Sequence, residues 1–190
     1  MPVDDDILRA ALAHPLESTD FPSLGKRYVG KVRDDQLGAV FVHDLRAAGV
    51  AFDVVPGTDG PPTARCLIQV TPDAERTMNT FLGKSVDLAP DDVDEEVVAS
   101  AAVTYCEGYL WDAEVAKAAM RRAMDIAHAG GRKVSLTLSD SFCVDRHRAD
   151  FLDLVANHVD ILFANEEEIM SLYQVGSFEQ AMREVRAHCA

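Results

Sequence analysis

The stretch that decides the fold is residues 159–168, Val-Asp-Ile-Leu-Phe-Ala-Asn-Glu-Glu-Glu, where an apolar run leads into an acidic turn. The run predicts a buried strand, and Asn165 and Glu168 follow it, three residues apart. In an open α/β sheet, ligands bind at the carboxyl ends of the strands. The spacing suits an outer-shell magnesium site beside a nucleotide phosphate, and it equally suits the N-cap of a helix.

The composition is that of an ordinary globular chain with an excess of acidic residues. The protein has 190 residues, 48% of them hydrophobic and 26% charged, with a formal net charge of −14. This length suits one domain with a buried core. The negative charge argues against nucleic-acid and anionic-membrane partners, which bind clustered lysine and arginine. A small anionic ligand stays compatible, because a local basic site or a bound cation can hold it.

The cysteines and the N-terminal residues bear on the cellular compartment. Cys66, Cys106, Cys143 and Cys189 have neither Cys-x-x-Cys nor zinc-ligand spacing, which is typical of free thiols in a reducing compartment. Residues 1–6 are acidic where a signal peptide is basic, and no apolar run reaches the length of a membrane span. We therefore expect a cytoplasmic protein.

Hydrophobic periodicity predicts alternating helices and strands over most of the chain. Strands separated by helices indicate a parallel, doubly wound α/β sheet. Asp34 and Asp112 are expected to cap the helices that follow them. The predicted strands are 102–106, 133–138 and 159–164, and the predicted helices are 35–48, 90–100, 112–129, 146–157, 166–173 and one that follows Ser177.

The segment 51–82 has a different character and reads as β structure. A strand is predicted at 51–55, and a β-hairpin is predicted from strands 66–70 and 77–82 around the turn Thr71–Ala74. These strands would form a small sheet projecting from the main body. Residues 1–22 form an atypical N-terminal segment in which prolines interrupt the helical pattern.

Several segments resemble the PfkB-type carbohydrate and nucleoside kinases, especially the adenosine-kinase-like branch. They follow one another in the family's order and spacing, from about Ser23 to the end of the chain. They are Val-Gly-Lys-Val-Arg-Asp-Asp-Gln-Leu-Gly at 29–38, Pro-Thr-Ala-Arg-Cys at 62–66, Thr-Pro-Asp-Ala-Glu-Arg-Thr-Met-Asn-Thr at 71–80, Glu-Gly-Tyr-Leu at 107–110, Leu-Ser-Asp at 138–140, and Asn165 with Glu168.

This resemblance implies a ribokinase-like α/β fold with a doubly wound, mostly parallel sheet and a small β lid at about 51–82. It implies ATP-dependent transfer of the γ-phosphoryl group to a primary hydroxyl of a nucleoside or sugar, with ATP and Mg²⁺ bound. The expected partners are a small-molecule substrate and, through the lid or an exposed sheet edge, a second copy of the chain. Residues 23–190 correspond to the central part of such a domain.

Two of the family's motifs are not found in this sequence. The N-terminal strand with a substrate-binding Asp and its Gly-Gly-x-x-x-Asn stretch has no counterpart in residues 1–22, and the Gly-Ala-Gly-Asp motif that carries the catalytic base does not occur. We therefore expect an incomplete kinase domain that is inactive as an isolated chain and that self-associates or dissolves poorly. The alternative is a non-catalytic nucleotide-binding or regulatory module derived from the same fold.

The resemblance also assigns roles to individual residues around the strand ends. Asn165 and Glu168 match the Asn-x-x-Glu motif that orders Mg²⁺ and its waters, and the same pair forms a capping box on the residue pattern alone. Asp140 would lie beside the triphosphate, or would simply cap the next helix. Glu107 would contact a substrate hydroxyl, or would be a solvated loop acid.

Lid residues complete the predicted site. Arg76 would swing onto the γ-phosphate, or would be a surface residue paired with Asp73 or Glu75. Asn79 is expected to line the same region and contact substrate. No residue of this chain is assigned as the catalytic base.

Two other nucleotide-binding motifs are rejected. Gly-Lys-Ser at 83–85 resembles the end of a Walker A loop, but Met78 stands where that motif requires glycine. The pair Gly130 and Gly131 follows a predicted helix rather than a strand, which does not match a dinucleotide-binding turn.

Overall fold

The computed structural model describes residues 25–189. The predicted N-terminal segment 1–22 lies outside these residues. None of the helices between residues 25 and 189 combines the length and the apolar composition that crossing a lipid bilayer would need.

Strands and helices alternate along the described chain. The strands are β1 (Lys26–Arg27), β2 (Val50–Ala51), β3 (Arg65–Val70), β4 (Arg76–Phe81), β5 (Val103–Glu107), β6 (Lys133–Thr137) and β7 (Ile161–Phe163). The helices are α1 (Gln36–Ala47), α2 (Glu95–Ser100), α3 (Glu114–Ala129), α4 (Ser141–Asn157), α5 (Glu166–Tyr173) and α6 (Phe178–Val185), with 3₁₀ turns at Gly83–Asp87, Pro90–Asp92 and Gly108–Asp112.

The central sheet has the order β5-β6-β7, and all of its strands are parallel. At one level of the sheet, Glu107 pairs with Thr137, which pairs with Phe163. Helices α3, α4 and α5 connect and follow these strands, as the predicted doubly wound α/β architecture requires. The remaining strands form a parallel pair, β1 with β2, and an antiparallel hairpin, β3 with β4.

The hydrophobic core lies on one face of the central sheet. Helix α3 packs there against β5 and β6 through residues spaced three and four apart, among them Ala116, Met120 and Met124. The largest side chains that are completely buried are Trp111, Phe52, Phe151, Met124, Leu136, Leu138, Leu154 and Leu172.

The opposite face of the central sheet presents aromatic side chains. Val103, Tyr105 and Phe163 alternate with the core residues of β5 and β7, and they are 45%, 53% and 53% exposed. The rings of Tyr105 and Phe163 meet edge to face, with centroids 6.1 Å apart. A parallel sheet is usually covered on both faces, so this aromatic face is a surface suited to further packing.

The predicted hairpin is confirmed, and it stands away from the core. Arg65 pairs with Phe81 and Val70 with Arg76, and every residue of both strands is exposed. The turn contains Ala74 at φ +67°, a left-handed conformation that glycine adopts more easily. The predicted strand at 51–55 is wrong in extent, because only Val50–Ala51 pairs with β1 and the buried Phe52 packs between Tyr28 and Phe41 instead.

Two predicted helix caps are wrong. Asp35, not Asp34, caps α1, because its carboxylate accepts hydrogen bonds from the amides of Gly38 (2.8 Å) and Thr63 (2.9 Å). Asp112 does not cap α3, because its carboxylate is bound by Arg146 (2.9 Å) and His147 (2.6 Å) of α4. Thr63 thus holds Asp35 in the capping position of α1, and distant partners on α4 take Asp112 away from the N-cap of α3.

Two helix boundaries also differ from the prediction. Helix α4 begins at Ser141 rather than at 146, because Asp140 caps it; a non-helical residue, His147, then interrupts its regular geometry. The predicted helix 90–100 is divided into a 3₁₀ turn and α2, since Asp94 accepts a bond from Val97 and starts a new helix there.

Replacing Leu136 with alanine is expected to lower the free energy of unfolding by about 2–5 kcal/mol, because the side chain is completely buried at the centre of β6. Leu37→Ala is the matched control, since Leu37 lies on α1, outside this core, and is 44% exposed. Its effect should stay within about 0.5 kcal/mol. Urea unfolding followed by circular dichroism checks both; equal effects would contradict the described core.

Candidate active site at the carboxyl edge of the sheet

The predicted site residues of the central sheet lie along one edge. Because β5, β6 and β7 are parallel, their carboxyl ends meet on the same side. Glu107 is the last residue of β5, Asp140 follows β6, and Asn165 follows β7 and precedes α5. We call the edge formed by Glu107, Asp140, Asn165 and Glu168 the acidic rim.

The Asn165–Glu168 pair forms a complete capping box at the start of α5. The Glu168 amide donates to Asn165 Oδ1 (2.8 Å), and the Asn165 amide donates to Glu168 Oε2 (3.1 Å). The Asn165 side-chain amide also donates to Glu168 Oε1 (2.8 Å). The side chains are thus rigidly oriented by each other, and Glu168 is only 7% exposed.

This donor set fits a hydrated magnesium ion rather than a directly coordinated one. No group of three or more His, Cys, Asp or Glu side chains placed to hold a metal is found among residues 25–189. Each oxygen of the Glu168 carboxylate accepts one hydrogen bond from Asn165 and keeps further acceptor capacity. Mg²⁺ commonly retains several waters, whose hydrogens such oxygens can accept.

Asp140 occupies the N-cap of α4. Its Oδ1 atom accepts a hydrogen bond from the amide of Cys143, which confirms the capping interpretation. The residue before it, Ser139, has φ +73°, a left-handed conformation that is unusual for a residue with a Cβ atom. The strand β6 therefore ends in a tight, specific turn that turns Asp140 onto the rim.

Glu107 is exposed at the end of β5 and lies near two tyrosines. Burial raises the pKa of Tyr28, and the charge of Glu107 raises it further. Burial and then Glu107 likewise raise the pKa of Tyr105. The carboxylate therefore faces the segment that follows β1, so the loop at Tyr28–Gly30 borders the rim.

Tyr109 is a further residue of the rim, to which the sequence analysis gave no role. Its backbone amide donates to Ser139 Oγ (3.1 Å), and its phenol donates to the Ser139 carbonyl (3.2 Å). Partial burial, with the nearby Asp140 carboxylate, raises its pKa to about 12. Trp111, by contrast, is completely buried in the core, and its indole donates to Asp150 (2.7 Å). The position of Tyr109 directly after Glu107 and Gly108, at the end of a predicted strand, could have indicated from the sequence that it lies at the rim.

The structure does not join the hairpin residues to the rim. Arg76 and Asn79 are exposed on β4, and neither forms a hydrogen bond or ion pair with another side chain among residues 25–189. Asp73, one proposed partner of Arg76, is bonded by Thr71 instead. Residues three apart on a strand point to opposite faces, so Arg76 and Asn79 lie on different faces of the hairpin.

Lys84 confirms that the Walker-like sequence is not a phosphate loop. Its ammonium group is bound by Asp87 (2.8 Å) and Asp59 (3.3 Å), and the residue is only 7% exposed. The hydrogen bond to Asp87 is the main reason that the pKa of this lysine is raised. Lys84 thus joins the loop after β2, through Asp59, to the 3₁₀ turn Gly83–Asp87. Its positive charge is already paired with carboxylates.

Residues 23–189 match the pfkB family of carbohydrate kinases. The chain belongs to this family. Its members are ATP-using kinases. Adenosine kinase from Sinorhizobium meliloti is 52% identical, with a TM-score of 0.83, over 87% of this chain and 51% of that chain. A probable sugar kinase from Rhizobium etli is 54% identical, with the same TM-score, over 87% of this chain and 50% of that chain.

A more distant relative is Fructokinase-1 from Zea mays, which is 29% identical over 82% of this chain and 50% of that protein. The chain thus spans about half the length of the relatives and solved structures it matches. The structural match confirms the ribokinase-like α/β fold predicted from the motifs.

Proposed function

We propose that the complete protein phosphorylates a primary hydroxyl of a nucleoside, using ATP and Mg²⁺. The observation that carries this proposal is the acidic rim, where Glu107, Asp140 and Glu168 meet at the carboxyl edge of one parallel sheet. A nucleoside is favoured over fructose because the Sinorhizobium adenosine kinase is 52% identical to this chain and the maize fructokinase is 29% identical; the 54% identical Rhizobium protein, a probable sugar kinase, makes another sugar the alternative substrate.

The rim residues have distinct proposed roles. Asn165 and Glu168 would hold hydrated Mg²⁺ by accepting hydrogen bonds from its waters, and Asp140 would do so from the neighbouring strand. The ion, when bound, neutralises negative charge on the phosphate oxygens. Asp140 needs this cation between itself and the phosphates, because a bare carboxylate repels them.

Substrate contacts are assigned to the remaining predicted residues. Glu107 would accept a hydrogen bond from a substrate hydroxyl, which suits an exposed carboxylate at a strand end. Arg76 would stabilise charge on the transferred phosphoryl group if the hairpin closes over the rim. Asn79 would then face away from Arg76, so it contacts substrate only through a twist of the hairpin. We place this activity in the cytoplasm, in keeping with four free cysteines.

The second candidate is a non-catalytic nucleotide-binding or regulatory module. It is favoured by one observation: the capping box accounts for the hydrogen bonds of Asn165 and Glu168 without any ligand. The capping role and the magnesium role of Glu168 differ in whether its negative charge contributes to binding Mg²⁺, which a charge-neutral substitution can test.

Glu168→Gln separates these roles, because glutamine keeps the capping box but removes the charge. We expect it to weaken Mg²⁺-dependent binding of the ATP analogue AMPPNP about tenfold, as substitutions of outer-shell partners do at metal sites. Titration calorimetry at fixed Mg²⁺ measures this. Glu166→Gln, which removes one charge from the same helical turn, is the control and should bind as the native chain does. Equal affinities in all three would contradict the magnesium role.

The 190-residue chain alone is expected to show no phosphoryl transfer to adenosine, ribose or fructose, because the Gly-Ala-Gly-Asp motif that would carry the base does not occur in it. A coupled assay for ADP release, with a full-length adenosine kinase as the positive control, measures this. Turnover above the no-enzyme rate would show that another residue of the chain serves as the base.

We also propose that two copies associate through the hairpin. Leu67, Ile68, Val70 and Met78 are between 54% and 68% exposed there, and Ile68 pairs with Met78 across the strands. Such an apolar, two-sided hairpin has unpaired strand edges that favour association.

The double variant Ile68→Lys, Met78→Lys should therefore convert a dimer into a monomer, because it places charge at the centre of the contact. Light scattering after size exclusion measures the mass. Val115→Lys, a change at an exposed position of α3, is the control and should stay dimeric. A monomeric native chain would refute the association, and a dimer that survives the double variant would point to the sheet edge instead.

A further inference from the structure

Ser139 has an unusual backbone conformation at the centre of the acidic rim. Its φ of +73° lies in the left-handed region, which is unfavourable for a residue with a Cβ atom. The other non-glycine residues with positive φ among residues 25–189 have ordinary explanations: Ala74 lies in the hairpin turn and Gln174 ends α5. Strained residues of this kind concentrate at functional sites, where surrounding contacts hold them.

Tyr109 supplies two of the contacts that hold Ser139; the others are the Ser139 amide on Thr137 Oγ1 (3.3 Å) and the Asp140 amide on the Leu138 carbonyl (3.0 Å). Tyr109 follows the end of β5 and donates two hydrogen bonds to Ser139. Its backbone amide binds Ser139 Oγ, and its phenol binds the Ser139 carbonyl. The phenol is the donor in this contact, because the backbone carbonyl of Ser139 can only accept.

The ends of β5 and β6 are joined closely around this contact. A Cβ atom built on Gly108 would lie 2.9 Å from the carbonyl oxygens of both Thr137 and Leu138, so only glycine fits there. The Cys143 thiol donates to the Gly108 carbonyl (3.3 Å), and the amide of the same cysteine is capped by Asp140. Ser139 therefore lies in a turn that is held on both sides, and the Tyr109 phenol binds the carbonyl of this turn from the neighbouring strand end.

We propose that Tyr109 is a positioning residue that holds Ser139 in its left-handed conformation and thereby sets Asp140 on the acidic rim. The proposal rests on the proposed function for its consequence, since Asp140 is there assigned to the hydrated magnesium ion. It assigns no contact between the Tyr109 phenol and the reacting atoms, so Tyr109 acts through Ser139 and Asp140.

A phenylalanine substitution isolates the phenol. Tyr109→Phe keeps the ring and the backbone amide bond but removes the donor to the Ser139 carbonyl. Tyr173→Phe is the matched control, because it deletes a phenol that lies in α5 and has no hydrogen-bond partner among residues 25–189. The two variants are compared in the full 190-residue chain by amide hydrogen exchange and by calorimetric titration of AMPPNP with Mg²⁺.

We expect Tyr109→Phe to speed amide exchange at Asp140 and Cys143 about fivefold, the factor that corresponds to losing one net hydrogen bond. Tyr173→Phe should leave exchange at these amides unchanged. AMPPNP affinity should fall about tenfold in Tyr109→Phe alone. Melting temperatures of both variants show whether the change is local to the rim or global.

Each outcome decides one part of the proposal. Unchanged exchange in Tyr109→Phe would overturn the positioning role, whether or not nucleotide binds. Faster exchange with unchanged AMPPNP affinity would overturn the link between the turn and the ligand. Faster exchange in a chain whose native form binds no AMPPNP would support the control of the turn by Tyr109 and would refute the proposed function instead.

Discussion

The parallel pairing of β5, β6 and β7 is the constraint on which the candidate site depends. With Glu107, Thr137 and Phe163 in one register, the residues that follow each strand must emerge on the same side of the sheet. The side chains of the acidic rim come from separate segments of sequence, yet no long loop is needed to bring them together, because each follows its strand within a few residues. A register shift of one residue would turn the side chains of a strand to the opposite face.

The atoms that stabilise the helix starts at the rim are the same atoms that are proposed to bind the ligand. The capping box fixes Asn165 and Glu168, and three glutamates in the first turn of α5 also suit the positive end of the helix dipole. A helix start that already concentrates negative charge is well prepared for a hydrated cation. The same logic applies to Asp140, which begins α4 one strand away. Capping therefore provides the rigidity that a metal-ordering role needs.

Much of this arrangement follows from local sequence. The helix 166–173 was predicted to the residue, because its cap, its charges and the strand before it agree, and the hairpin was predicted because proline and polar turn residues separate two β-rich runs. The errors occurred where distant residues compete. The Asp112 carboxylate is bound by Arg146 and His147, more than thirty residues away, and the residues around Asp112 do not indicate these partners. Tyr109 was missed for a similar reason, since its partner Ser139 lies thirty residues away in the turn after β6, and the sequence does not reveal the positive φ of that serine.

The hairpin obeys a different constraint from the rim. The rim is positioned by the core, whereas β3 and β4 are exposed along their whole length and are held mainly by each other. The loops at its base are nonetheless firmly tied: Thr63 is bound by Asp35, and Lys84 is held between Asp59 and Asp87. Fixed ends and an unburied body are what a lid requires, because motion then costs little buried area. The alternation of side chains along β4 adds that only one of its faces can meet the rim in any closed position. Arg76 and Asn79 are therefore alternatives for that contact unless the hairpin twists, and the arginine, with its charge and longer reach, is the better match for a phosphoryl group.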